Sequence, residues 1–89
     1  LTMKVRTKRV SAEAYHLGHD EMPRWYIEMV ADHMAVYYTD VYGKVASHVK
    51  TPEGWIVASH GDWLVRSQSG AVRVMKNDDF FEMYEGDPF

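Results

Sequence analysis

The sequence predicts an α+β fold: a small curved antiparallel sheet with one packed helix and a short C-terminal helix. The sheet is expected as a meander, able to close partly into a barrel. Three observations predict it. One stretch of helical periodicity occupies residues 23 to 34. Short β-branched and aromatic runs, punctuated by Gly, Pro, Asn and Asp, fill most of the rest. Residues 45 to 84 are a succession of such runs, on which everything earlier packs. Residues 1–89 read as one domain with room for a single small core.

The elements follow in chain order. Residues 3 to 10, MKVRTKRV, alternate apolar and basic, the period of a strand with one wet face. Thr7 and Arg9 break the alternation, the mark of a bulge or a switch of face, and Ala12, Ala14, Tyr15 and Leu17 continue the extended run. Gly18 with His19, Asp20 and Glu21 makes a loop. Pro23 suits the first residue of a helix, where its missing N–H costs nothing. Met22, Tyr26, Met29, Val30 and Met34 fall at helical spacing, Trp25 and Ile27 widen the stripe, and Arg24, Glu28 and Asp32 hold the opposite face. A helix is therefore expected over 23–34.

Ala35 to Tyr42 is β-branched and aromatic and reads as a strand, ending at the turn Gly43-Lys44. Val45 to Lys50 and Trp55 to Ala58 form a hairpin around Thr51-Pro52-Glu53-Gly54, a type I turn sequence. His60-Gly61-Asp62 turns into a strand at Trp63 to Arg66. Gln68-Ser69-Gly70 then leads to another strand at Ala71 to Met75. Asn77-Asp78 caps a short helix over 78–84, with Phe80, Phe81 and Tyr84 on one face, and the last residues, 86–89, fray.

Composition narrows the function. The chain has no cysteine, so disulfides and thiolate zinc sites are excluded. A formal net charge of −3 argues against non-specific nucleic-acid binding, which needs a cationic surface. No apolar run reaches the length of a bilayer span and no leader is evident, so a cytoplasmic protein is expected.

The order of phrases carries a resemblance. Glu13-Ala14-Tyr15 closes a basic strand, and Pro23-Arg24-Trp25 opens a helix. Thr51, Glu53 and Gly54 mark a turn, followed by Gly61-Asp62-Trp63-Leu64-Val65 and a close of Phe81, Tyr84 and Glu85. The chain thereby resembles a family of short proteins of unassigned role encoded by tailed bacteriophages and prophages. It departs from that pattern at Arg9-Val10, where a Lys/Arg-Pro is usual, and at Ser69 to Met75, which lacks the Gly-Glu and Tyr-Pro phrases. The resemblance implies a phage-encoded accessory protein in the host cytoplasm and supplies no activity.

Catalytic chemistry finds little footing. His16 and His19 are three apart with Asp20 and Glu21 beside them, a weak metal spacing without a zincin-type motif. Ser47-His48 and Ser59-His60 are neighbours that a strand points to opposite faces, so neither makes a serine–base dyad. Asp78 and Asp79 suit a helix N-terminus better than an acid–base pair. No catalytic residue, metal or cofactor is therefore expected.

Two binding readings are left. In the first, the chain is a non-catalytic protein-binding module, a host-takeover or anti-defence inhibitor engaging a host or phage protein. Trp55, Trp63 and Asp62 are its candidate partner-binding residues, although each Trp also fits a core position and Asp62 also fits a turn cap. In the second, Lys4, Arg6 and Lys8 on one face of the first strand bind a nucleotide or other small ligand. A homo-oligomer is open in either case, since a small core gains from a partner copy.

Overall fold

The computed structural model describes residues 3–7, 10–83 and 85–86, with side chains described across 12–83. The α+β class is observed, and the strands divide into two antiparallel sheets instead of one meander. The first sheet contains β1 (Met3–Thr7) and β2 (Val10–His16). The second contains β3 (Ala35–Thr39), β4 (Val45–Thr51) and β5 (Gly54–Ser59), in the order β3-β4-β5. The chain then returns to the first sheet as β6 (Trp63–Ser67), β7 (Val72–Met75) and β8 (Glu85–Gly86), giving the order β7-β6-β2-β1-β8. Neither sheet closes into a barrel among the described strands.

The split has a cause in the central strands. Trp63, Leu64 and Val65 are consecutive and all buried, as are Ala14 and Tyr15 opposite them. Strands apolar on both faces must be covered on both faces. Tyr15, Leu64 and Val72 face a core shared with Val49, Ala58, Trp25 and Tyr26. On the other side of the same sheet, Ala12, Ala14, Trp63 and Val65 pack with Phe80. A single meander with one wet face could not bury both sets.

The long single strand expected over 3–10 is instead a hairpin: Thr7 pairs with Val10 and Met3 with Ala14. Helix α1 (Arg24–Ala31) is shorter than the apolar spacing suggested, with Pro23 just before it as N-cap. Its end is a Schellman motif: His33 takes φ +63°, the His33 N–H reaches the Val30 carbonyl at 3.2 Å, and Met34 N–H reaches Met29 at 2.8 Å. Met34 therefore continues the helical spacing in sequence but not in space. It leads into β3, and its carbonyl accepts the Lys50 N–H at 2.9 Å.

β3 likewise stops early. The Asp40 carboxylate accepts the N–H groups of Tyr42 and Lys44, at 2.8 and 3.0 Å, and Gly43 takes φ +79°. This leaves Val41 and Tyr42 at an exposed loop tip. The second helix, α2 (Asn77–Met83), buries Phe80 and leaves Phe81 exposed, so the two do not share the buried face. Asn77 turns its side chain to Trp63, whose Nε1–H it accepts at 2.8 Å. Glu85–Gly86 pairs with β1 where the sequence suggested fraying. The Tyr84 side chain lies outside the described residues, as do residues 87–89.

Candidate interaction surface

The second sheet has one covered face and one open face, fixed by alternation. Ser47, Val49, Thr51 and Ala58 point inward and are buried; the Tyr26 hydroxyl and Ser47 Oγ meet there at 2.7 Å. The residues between them point outward. Register places Val36, His48 and Val57 in one row, Tyr38, Ala46 and Ser59 in the next, and Lys50 beside Trp55 at the hairpin end. Val36 is 51% exposed, Trp55 51% and Val57 54%, with Tyr38 edge-on to His48 at 5.3 Å. An aromatic and β-branched surface thus stands in solvent, and its one formal charge is Lys50. Trp55 reaches it because the hairpin turn is short: Thr51 Oγ1 accepts the Glu53 N–H at 3.2 Å and donates to the Gly54 carbonyl at 2.8 Å.

The other two candidate partner residues lie elsewhere. Trp63 is 2% exposed, stacked between His16 at 4.2 Å and Phe80 at 3.9 Å. Asp62 is 5% exposed. Its carboxylate accepts the Ser59 N–H at 2.9 Å and pairs with Lys76 Nζ at 3.1 Å. Both act inside the fold, and a partner cannot touch either as the chain is folded. The turn-capping role of Asp62 is the one the structure shows. Of the basic candidates, Lys4 and Arg6 stand at alternate positions of β1, opposite Glu13 and Ser11 in register. Lys8 lies outside the described residues.

Sequence reasoning missed a column of rings. His19 stacks on His16 at 4.3 Å, His16 on Trp63, and Trp63 on Phe80, while His60 tilts against His19 at 5.0 Å. The His16-x-x-His19 spacing signalled proximity, but stacked rings do not converge their nitrogens on one point. Among the described residues no group of three His, Cys, Asp or Glu is arranged to hold a metal ion. His16 Nε2 lies 3.1 Å from the Gly61 carbonyl, to which it donates. Burial first, and then the neighbouring His19 ring, hold the His16 imidazole below its ordinary pKa. Burial raises the Tyr26 hydroxyl in the same way. Ser47 and His48 separate as alternation requires, the first buried and the second exposed, whereas Ser59 ends β5 and His60 lies in the turn after it, both exposed.

A cleft of about 290 Å³ opens between the end of α1 and the turns after β4 and β6. Met29, Met34 and Val72 supply its apolar lining, and Lys50 and Arg66 stand at it as cations. Arg66 is also bound to Glu13 at 3.1 Å. No helix among the described residues is long and apolar enough to cross a membrane. Comparison of the chain with protein-family models, with curated protein sequences and with solved structures gives no match.

Proposed function

We propose that this chain is a non-catalytic protein-binding module whose docking surface is the outer face of the β3-β4-β5 sheet. One observation carries the reading: Trp55, half exposed, shares with Val36, Tyr38 and Val57 a face that no described element of the fold covers. Aromatic side chains of this kind are the anchors of protein interfaces, and contiguous apolar surface on a small domain marks an interaction site. The resemblance to short phage proteins makes a host or phage protein the partner class, with inhibition of a host system as the outcome.

The test is affinity capture from host lysate by the wild-type chain and by Trp55→Glu in parallel. A protein held stoichiometrically by the first and lost by the second supports this face. Capture that Trp55→Glu leaves unchanged excludes it.

The cleft supports a second reading, a binder of small anions with an apolar part. Its volume is near the lower bound of ligand sites, and Lys50 and Arg66 would orient the anionic end. In that case a nucleotide or carboxylate extracted from the purified protein should be lost in Lys50→Ala/Arg66→Ala.

A further inference from the structure

The edge of β5 can be accounted for group by group. The Lys50 N–H points to Met34, on the β3 side, so Lys50 and Trp55 are a non-hydrogen-bonded pair across β4 and β5. By alternation Ile56 bonds to β4, while Trp55, Val57 and Ser59 direct their main-chain groups to the open edge. Ser59 is already served on both sides. Its N–H goes to the Asp62 carboxylate, and its carbonyl accepts the Asp62 N–H, each at 2.9 Å. Among the described residues, what stays open is the N–H and C=O of Trp55 and of Val57.

These four groups complement themselves. A second β5 laid antiparallel about a two-fold axis through Ile56 sets Trp55 opposite Val57 of the other copy, and Val57 opposite Trp55. All four groups of each strand are then used, and register ends where Asp62 closes the edge. Trp55 meets Val57 across the junction as an aromatic–β-branched pair, a favourable cross-strand combination. Gly54 to Ser59 contains no charged residue and no proline, the devices by which edge strands avoid pairing. Ile56, on the inner face yet 38% exposed, gains cover from its own copy.

We infer that the protein forms a two-fold dimer by pairing β5 with β5, joining two three-stranded sheets into one of six strands. This goes beyond the docking surface proposed above: pairing takes the edge, leaves the outer face open, and presents it twice. A contact of this size belongs to the small-interface class, so the dimer should be weak and concentration-dependent.

The test is sedimentation equilibrium from low micromolar to sub-millimolar protein, with cysteine cross-linking to fix register. The wild type should approach twice the monomer mass. Val57→Pro removes an edge N–H without touching the β4 ladder and should stay monomeric with an unchanged β-sheet spectrum. Ile56→Cys supplies the chain's only thiol at the two-fold axis, where facing Cα atoms are about 4.5 Å apart, within disulfide reach. It should cross-link on mild oxidation. Val57→Cys should not, because its two copies would lie about 8 Å apart. A wild type that stays monomeric throughout overturns the inference. So does a dimer that Val57→Pro preserves, or cross-linking of Val57→Cys as efficient as that of Ile56→Cys.

Discussion

The rings of Trp63 and Phe80 lie 3.9 Å apart and 3° from parallel, and through this contact α2 is held against the five-stranded sheet. Phe80 fills the space over Ala12, Ala14 and Val65, the smaller of the two cores. Phe80→Ala should therefore cost about 3–5 kcal/mol, the range for truncating a buried aromatic. Phe81→Ala, at an exposed position, should cost under about 1 kcal/mol. Urea unfolding of the two variants measures the contrast.

Two buried tryptophans differ in their polar end. Trp63 Nε1 donates to Asn77, while Trp25 Nε1 is buried without an acceptor among the described residues. Replacing each by Phe removes similar volume, but only Trp63→Phe also breaks a hydrogen bond and orphans the Asn77 oxygen. Trp63→Phe should be the more destabilising by about 1–3 kcal/mol. Equal losses in thermal unfolding would show that the Asn77 contact contributes nothing.

Asp62 joins the end of β5 to its turn and to Lys76. Asp62→Ala leaves the Ser59 N–H without its acceptor and should destabilise by about 1–3 kcal/mol. Lys76→Ala should cost under about 1 kcal/mol, because the lysine side chain is largely exposed. Hydrogen exchange reads the same difference locally, with the Ser59 amide accelerated in the first variant and unchanged in the second.

The His16 imidazole, held below its ordinary value of 6.5 by burial and by His19, links stability to pH. A folded-state pKa below the unfolded one means that the unfolded chain binds more protons. Stability is thus complete above about 6.5 and declines as pH falls through that value toward the folded pKa. His16→Phe keeps a ring on Trp63 and removes the proton site. Its stability should vary less between pH 7 and 5 than that of the wild type, as measured by denaturant midpoint; identical slopes would refute the assignment.

Much of the local structure was legible because local chemistry decided it. Thr51-Pro52-Glu53-Gly54 reads as a hairpin turn and is one, with Gly54 at φ +106°, a conformation glycine adopts without strain. Pro23 marks the start of α1 to within a residue. The helix end was not legible, since Met34 keeps the apolar spacing and His33, not glycine, takes the left-handed position. The division into two sheets was hidden for a different reason. Trp63-Leu64-Val65 is a continuous apolar run, and only contact with residues from distant segments shows that both its faces are covered. At the candidate site, Trp55 could be singled out beside its turn. Whether Trp63 and Asp62 faced in or out depended on α2 and Lys76, which sequence spacing does not place.

The segment between β2 and β6 leaves the first sheet and returns to the same point: Leu17 donates to the Asp62 carbonyl and accepts from the Gly61 N–H, each at 2.9 Å. The hairpins β1–β2, β3–β4, β4–β5 and β6–β7 can each zip locally, whereas the β2–β6 ladder must gather ends separated by the whole second sheet. Closing that loop is entropically the most demanding pairing among these ladders. The rate of folding should accordingly be governed by whether Tyr15 finds Leu64, with the second sheet already assembled while the middle of the molecule is still open.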